Sequence, residues 1–123
     1  MEFKNDKAIY LQIADYVCDR ILYKVWKAGD RIPSVREIGA LLEVNPNTVL
    51  HTFAALQNEN IIVNKRGVGF FLTDECFNKA YEMRKKEFLT LVLPNVFETM
   101  QSLNIPMGEV SDLFNKYVEN QKK

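Results

Sequence analysis

The side chains that most often carry catalysis or bind metals are scarce in this sequence. Its single histidine, His51, and its two separated cysteines do not have the ligand spacing of a zinc site. A hydrolase would need His51 as its base, but no GxSxG turn or comparable nucleophile motif occurs. Gly67 and Gly69 lack the third glycine and the following helix of a dinucleotide fingerprint, and no GxxxxGK[ST] loop is found. The sequence therefore predicts no enzyme, no metal and no cofactor.

The two cysteines, Cys18 and Cys76, lie far apart and form no CxxC pair. No apolar stretch approaches the roughly 18 to 20 residues of a membrane-spanning helix, and the polar start of the chain has no signal-peptide core. We therefore expect a cytoplasmic protein with no membrane partner. In that reducing compartment the cysteines should be free, partly buried thiols, with a two-cysteine redox switch as the alternative.

Charge is balanced in this chain, with 16 Lys and Arg against 16 Asp and Glu in 123 residues. Residues 1–75 carry nine Lys and Arg against ten Asp and Glu, a net charge of −1. A protein that coats nucleic acid needs a broad basic surface, so this class is excluded. If the chain binds DNA, a few well-placed groups must do so, and non-specific binding should be weak.

The elements that position those groups begin with a helix predicted over residues 8–26. Ile9, Ile13, Val17 and Ile21 recur every fourth residue and indicate a buried stripe. A capping box, in which Ser34 and Glu37 satisfy each other's backbone N–H groups, then opens a short helix. The residues of this helix predicted to face inward are Val35, Ile38, Leu41 and Leu42.

A second short helix should follow after three or four residues. Asn45 is a good N-cap, and Pro46 suits the first helical position because its missing N–H needs no partner there. The helix should run to about Asn58, with Val49, Phe53 and Leu56 inward. Two short helices joined in this way predict a helix-turn-helix.

Two β-type runs at residues 61–63 and 70–72 flank the glycine-containing segment 64–69. Such a segment predicts a hairpin, and its tip is basic. A helix-turn-helix followed by a hairpin is a winged helix. We therefore predict a mainly α fold with a small β-hairpin, in which residues 1–73 form a winged-helix DNA-binding domain.

Residues 74–123 are predicted to form a helical appendage. An apolar stripe spans about thirty residues and should be kinked or broken near Pro94, and a last helix begins after Pro106. The stripe could pack within its own domain, but it offers more apolar surface than one short final helix covers, which favours a homodimer interface. The candidate dimerisation residues are Phe77, Tyr81, Phe88, Val92, Val96, Leu113 and Phe114.

The segment AGDRIPSVREIGALLEVNPNTVLHTFAAL, followed by ENIIVNKRGVGFFL, resembles the winged-helix domain of the gluconate-repressor (GntR) family. The family pattern is PGDxLPSxRxLA, then VNxxTVxxA, then a hairpin ending in RRGxGxFV. The match runs from about Ala8 to Leu72, and the short C-terminal region is similar to the YtrA-like subfamily. The resemblance implies a homodimeric transcriptional regulator that binds a palindromic operator, often in a transporter operon, and it leaves room for a small-molecule effector.

The sequence departs from the family pattern at two places. The recognition helix has Leu50 and His51 where the family usually has an Arg, so one phosphate or base contact is replaced by a weaker one. Asn60 stands where the family usually has glycine before the first wing strand. Asn tolerates left-handed backbone geometry, so we expect the turn to survive.

The candidate DNA contacts follow from the resemblance and from helix physics. Arg36 matches the family Arg that contacts DNA, and its alternative is an ion pair with a nearby Glu. The N-terminal end of the recognition helix, which begins at Pro46, attracts phosphate, and an Asn side chain can pair with adenine. Asn45 is mainly a cap, and His51 is either a DNA contact or a surface bystander. The remaining candidates are Asn47 and Thr48 on the helix, and Lys65, Arg66, Gly67 and Gly69 on the wing, which would otherwise be a solvated hairpin.

We therefore expect a sequence-specific, dimeric regulator, most simply a repressor. The first alternative is a winged helix that has lost DNA binding and acts as a protein-interaction module. Leu50 and His51 in place of the family Arg are the reason to retain this alternative. The second is a small-molecule enzyme, or the remnant of a larger one in which this domain is fused to a pyridoxal-phosphate aminotransferase-like half. The chain lacks the length and a candidate lysine motif for it.

Overall fold

The computed structural model describes residues 7–122, so the first six residues of the predicted winged-helix domain lie outside the described residues. The fold is mainly helical with one two-stranded antiparallel hairpin, which confirms the predicted fold class. The chain divides into two compact units, of which the first ends at Lys85 and the second begins at Lys86. The elements are α1 (Ile9–Leu22), α2 (Val35–Leu42), α3 (Pro46–Asn58), β1 (Ile62–Lys65), β2 (Gly69–Leu72), α4 (Cys76–Glu87), a π-helical turn (Phe88–Val92), α5 (Leu93–Ser102) and α6 (Met107–Gln121).

The first helix is four residues shorter at its end than its sequence pattern predicts. Lys24 adopts a left-handed φ of 61°, and the backbone N–H groups of Val25 and Trp26 both turn back to the Arg20 carbonyl, at 2.9 and 3.0 Å. The Trp26 ring then packs edge-on against Tyr16 with their centroids 6.1 Å apart. Closure of this turn ends α1 at Leu22, so the helix predicted to Trp26 was too long.

The capping box at the start of α2 is confirmed. The Glu37 N–H donates to Ser34 Oγ at 3.1 Å, and the Ser34 N–H donates to Glu37 Oε1 at 2.9 Å. Ile38 is buried as predicted, but Leu41 is 60% exposed, so its predicted inward position is wrong. Gly39 explains the difference, because a Cβ there would lie 3.0 Å from the Val44 carbonyl oxygen. The segment after α2, which includes Val44 and Pro46, packs against Gly39, so the buried face of α2 is centred there and Leu41 is exposed.

The third helix has the predicted bounds and the predicted core. Asn45 caps it and Pro46 occupies its first turn, while Val49, Phe53 and Leu56 are fully buried. They join a core that α1, α2, the hairpin and the start of α4 complete. That core consists of Ile13, Ala14, Val17, Cys18, Ile21, Ile32, Ile38, Val49, Phe53, Leu56, Ile61, Ile62, Leu72, Cys76 and Ala80.

The hairpin pairs β1 with β2 from Ile62↔Leu72 to Lys65↔Gly69, which leaves residues 66–68 as the tip. The predicted left-handed turn before it is confirmed, since Asn60 has a φ of 62°. A short segment around Arg31 adds to the other edge of β2 by a bridge to Phe71. We therefore define the wing as the hairpin together with the short segment around Arg31, which precedes α2.

Two contacts attach the first unit's outer elements to its core. The Phe70 ring packs edge-on against Phe53 of α3 with centroids 4.8 Å apart, which docks the wing on the recognition helix. Arg84 of α4 lies 2.7 Å from a carboxylate oxygen of Asp15 and 3.5 Å from one of Asp19, both on α1. The helix α4 is thus fixed to α1 by charge as well as by its buried face.

Between α4 and α5, just before Pro94, the helix has one irregular turn. The Leu93 N–H donates to the Phe88 carbonyl, five residues back, and closes the π-helical turn Phe88–Val92. Pro94 then lies at the start of α5, where its missing N–H costs little. The predicted interruption is therefore a single wide turn. In the second unit, Met100 is the one buried residue among those that the structure describes.

Candidate nucleic-acid interface

The recognition helix α3 has two faces with different compositions. Its inner face is buried through Val49, Thr52, Phe53 and Leu56. Four residues on the other side are exposed, and each lies three or four positions from two of the others, so they share one face. We call this the outer face of α3, and it consists of Asn47, Leu50, His51 and Ala54.

The start of α3 is held by its own cap. Asn45 Oδ1 accepts the Asn47 N–H at 2.8 Å, and the Asn45 carbonyl accepts the Thr48 N–H at 2.9 Å. Thr48 is half-buried, and its carbonyl accepts the Thr52 hydroxyl at 3.2 Å. Asn45 thus has the structural role expected of it, and its capping frees the Asn47 side chain from that task.

His51 is stacked on Tyr10, a residue of α1 that sequence reasoning missed. The ring centroids are 3.8 Å apart and the planes are inclined by 15°. The Tyr10 carbonyl also accepts the hydroxyl of Thr52, the neighbour of His51, at 2.7 Å. This stack and hydrogen bond fix α3 to the first turn of α1, so His51 is an oriented side chain that remains exposed. Because the two residues are 41 positions apart in the sequence, no local pattern indicates that they pair.

Arg36 lies in the first turn of α2 and is exposed. The alternative prediction paired it with a nearby Glu, but within residues 7–122 no carboxylate lies in ion-pair distance of its guanidinium. The adjacent Glu37 is occupied by the capping box. Hydrogen bonds from the N–H and the hydroxyl of Ser34, with a smaller effect of Arg31, lower the pKa of Glu37 below its usual 4.5. Arg36 is therefore available to an anionic ligand.

The wing tip presents two adjacent cations on a tight backbone turn. The Val68 N–H donates to the Lys65 carbonyl at 2.9 Å, and Gly67 has a φ of 79°, which favours glycine. Lys65 Nζ lies 4.4 Å from the centroid of the Phe71 ring, while Arg66 stands exposed at the tip. The backbone of the tip can thus approach a ligand closely while both cations remain at the surface.

Arg31 is a further cation of the wing that the sequence analysis did not select. Its guanidinium packs over Gly69, where an added Cβ would lie 2.8 Å from Arg31 Nε. Gly69 also has a φ of 140°, which favours glycine, and a side chain there would displace the Arg31 guanidinium. Arg31 pairs with Phe71, and Lys65 pairs with Gly69 two residues away on the same strand, so the two cations lie on the same face of the sheet. The only sequence signal was an extended Arg before Ile-Pro, which does not indicate its partner strand.

Together, α2 and the wing carry the positive charge of the site, and α3 carries none. The cations are Arg31, Arg36, Lys65 and Arg66, whereas Pro46–Asn58 contains no Lys or Arg. Hydrogen bonds from cations and from a helix N-terminus suit phosphates, and uncharged side chains on the exposed face of a helix suit base edges. The arrangement is chemically fitted to a nucleic-acid duplex.

Other chemistry finds little support within residues 7–122. No group of three or more His, Cys, Asp or Glu side chains could hold a metal ion there, and none of the helices is long and apolar enough to cross a membrane. Neither Cys18 nor Cys76 forms a disulfide, and both are buried more completely than the sequence predicts. Burial raises the pKa of the Cys76 thiol.

An open groove of about 300 Å³ lies between the end of α1 and the start of α4. Its lining is mostly apolar and includes Trp26, Cys76 and Phe77, with Lys24, Lys27 and Asp74 also present. Two cations and one carboxylate thus line the groove, and Lys24 Nζ already lies 5.8 Å from the centroid of the Phe77 ring. The groove gives no indication of a particular ligand, so a small-molecule effector stays a prediction.

Comparison with known proteins agrees with this geometry. Residues 9–72 match the family described as bacterial regulatory proteins, gntR family. The chain is 30% identical over 118 residues to YhcF, an uncharacterized HTH-type transcriptional regulator of Bacillus subtilis, with 96% of each chain covered. It is 35% identical over 94 residues to the HTH-type transcriptional repressor YtrA of the same organism, covering 73% of this chain and 72% of that one.

A solved structure is similar over almost the whole chain. The GntR family transcriptional regulator from Listeria monocytogenes has a TM-score of 0.73 and 32% sequence identity. The similarity covers 93% of this chain and 98% of that one, so it includes the C-terminal helices as well as the winged helix.

Proposed function

Because the chain belongs to the GntR family and is a DNA-binding transcriptional regulator, we propose that it acts as a homodimeric repressor on a two-fold-symmetric operator. The observation that carries this proposal is the capped, exposed start of α3 in a unit that also has exposed cations on α2 and on the wing. In this arrangement α3 enters a major groove, and the wing follows the adjacent backbone or minor groove. Two-fold symmetry then requires two half-sites about one helical turn, or a multiple of it, apart.

The predicted site residues take distinct roles in this proposal. Arg36 contacts a phosphate or guanine beside the groove, since its guanidinium is exposed. Lys65 and Arg66 contact phosphates, and Gly67 and Gly69 let the wing backbone approach the duplex. On the helix, the direct contacts are assigned to Asn47, Thr48 and His51, while Asn45 holds the capped end in place.

The dimer is proposed to form through residues 74–123. The second unit has a single buried residue among those described, Met100, which is far too little for an independent core. Leu113 and Phe114 on α6 are 60% and 63% exposed, and a patch of such apolar side chains marks an interface. The other proposed interface residues are Phe77, Tyr81, Phe88, Val92 and Val96, of which only Val92 is half-buried.

Repression is the simplest mechanism for such a protein, because a dimer seated on an operator occludes the promoter. The similar YtrA protein is named a transcriptional repressor. We extend this role to the present chain, together with regulation of a transporter operon, which the resemblance to that subfamily implies.

The oligomeric state and DNA binding can be tested together. Sedimentation should give a dimer for the native chain and a monomer for a Leu113→Glu/Phe114→Glu variant, because two buried carboxylates would be unpaired in the interface. Leu41→Glu is the matched control, since Leu41 is 60% exposed on α2 and should leave the dimer intact. A native monomer at micromolar concentration would contradict the proposed dimer.

DNA binding should depend steeply on salt, because phosphate contacts release counterions. Fluorescence anisotropy with a duplex carrying two symmetric half-sites should show tighter binding than with one half-site. The Leu113→Glu/Phe114→Glu variant should lose this advantage. Weak binding with no salt dependence would instead support a protein-interaction module.

A further inference from the structure

We propose that the outer face of α3 reads A·T base pairs, with Asn47 pairing to adenine and Leu50 contacting the thymine methyl group. This inference deepens the proposed function and rests on it, since it assumes that α3 enters the major groove. It concerns two exposed positions of a helix that contains no Lys or Arg.

The composition of α3 excludes the usual guanine and cytosine contacts. Arg and Lys read guanine through its O6 and N7 acceptors, and Asp and Glu read cytosine through its N4 donor. None of these four residue types occurs in Pro46–Asn58. Any sequence that this helix reads directly must therefore be read by amides, hydroxyls, methyl groups or the imidazole.

Asn47 is the amide side chain of α3 that is best placed to contact a base edge. It lies in the first turn of α3, the part of a recognition helix that reaches base edges, and its side chain is exposed. Its backbone N–H is satisfied by Asn45, so its carboxamide is not needed to cap the helix. An Asn carboxamide matches the N6 donor and N7 acceptor of adenine as a bidentate partner.

Leu50 supplies the apolar contact. It is 54% exposed one turn beyond Asn47, although the neighbouring Val49 is fully buried and anchors the helix. In the major groove the thymine C5-methyl is the apolar group that such a side chain can cover. Ala54, one further turn along, continues the same uncharged surface.

His51 is assigned to the edge of this surface. Its ring is stacked on Tyr10 at 3.8 Å and is thus held on the side of α3 that faces α1. Arg36, Lys65 and Arg66 lie outside α3 altogether. Asn47 and Leu50 therefore form the base-reading pair, separated by about 4.5 Å along the helix axis. That distance is little more than one base-pair step of about 3.4 Å, so the two A·T pairs should be adjacent or nearly so.

The first test is selection of duplexes from a randomised DNA library by the full chain. The selected sequences should carry adjacent A·T pairs at the centre of each half-site. Enrichment of G·C pairs there would overturn this inference and leave the proposed function standing. Failure to enrich any sequence would overturn both.

The second test removes single groups from the selected duplex. Replacing the central thymidine by deoxyuridine deletes only the C5-methyl, and affinity should fall about fourfold, the value of one buried methyl-sized group. The same replacement should have no effect on Leu50→Ala, whereas Leu41→Ala, an exposed leucine on α2, should respond like the native chain. An equal uracil effect in Leu50→Ala and the native chain would overturn the assignment of Leu50.

Asn47 is tested in the same way with 7-deaza-adenine, which removes the N7 acceptor. This base should weaken binding of the native chain and leave Asn47→Ala unchanged. A Leu50→Arg variant should shift the selected base toward guanine at one position. Selection of the same A·T pairs by Leu50→Arg would contradict the inference.

Discussion

The recognition helix and the wing are neighbours in one folded unit, yet they divide the chemistry of the interface unequally. The 13 residues of α3 contain no Lys or Arg, whereas the hairpin has Lys65 and Arg66 at its tip and Arg31 on its adjoining strand segment. Uncharged groups on a helix can distinguish bases, and cations on a loop bind phosphates of any sequence. We therefore propose that sequence recognition and salt-dependent affinity belong to separate elements.

This division also explains how a chain of zero net charge can bind DNA. A broad basic surface is not needed if a few cations are held beside a protruding helix. Non-specific binding should then be weak, and the proposed dimer would offset this by engaging two half-sites at once. If helix and wing are as separate in function as they are in charge, variants of each element should change different properties of the protein.

Phe53→Ala should have the largest effect, because the Phe53 ring joins the helix to the wing. It is fully buried and packs against Phe70 at 4.8 Å. Its truncation should lower the free energy of unfolding by about 3 to 5 kcal/mol in urea denaturation. Leu50→Ala, at an exposed position of the same helix, should change it by less than about 0.5 kcal/mol. Similar values for the two variants would show that the helix and wing do not share this anchor.

Gly69→Ala should have an intermediate effect that is confined to the wing. An alanine at a φ of 140° is strained, and its Cβ would meet Arg31 Nε at 2.8 Å, so a loss of about 1 to 3 kcal/mol is expected. Adding Arg31→Ala should recover part of this loss, because it removes the clash but not the strain. Thermal unfolding measures both variants, and the absence of any recovery would contradict the contact between Arg31 and Gly69.

Lys65→Gln/Arg66→Gln should change the salt dependence of DNA binding and leave the fold intact. Each lost phosphate contact reduces the slope of log affinity against log salt by about one, so the slope should fall by about two for each bound protomer. Anisotropy titrations across salt concentrations measure this slope. Lys116→Gln on α6 is the control with an unchanged slope, and an unchanged slope in the wing variant would remove these cations from the interface.

The smallest effect concerns the capping box that positions Arg36. Because the folded pKa of Glu37 lies below its ordinary 4.5, ionised Glu37 stabilises the fold at neutral pH, and this contribution is lost as the pH falls through the folded pKa. Glu37→Gln should therefore be less stable than the native chain at pH 7. The difference should shrink below pH 4.5 in denaturation experiments. A difference that is constant with pH would mean that the charge of Glu37 is not involved.

Local signals in the sequence predicted the local parts of this unit well. The caps at Ser34 and Asn45 set the starts of α2 and α3, and Asn60 tolerates the left-handed turn before the wing. Such features depend on a few consecutive residues, so a sequence contains them directly.

The features that were missed depend on residues distant in the chain. Tyr10 meets His51 across 41 residues, and Arg31 meets Gly69 across 38, so neither pair leaves a periodic pattern. Leu41 fitted the helical stripe, but the approach of the segment after α2 moved the buried side to Gly39. Tertiary packing decided each of these cases, and periodicity alone does not contain it.

The most direct test of the division between helix and wing is the ratio of affinities for the selected duplex and for a scrambled duplex of equal composition. Anisotropy should be measured for the native chain, for Asn47→Ala/Leu50→Ala and for Lys65→Gln/Arg66→Gln. The helix variant should lose most of the ratio with its salt slope unchanged, whereas the wing variant should bind both duplexes more weakly at a similar ratio. A helix variant that keeps the native ratio would contradict the assignment of sequence recognition to α3.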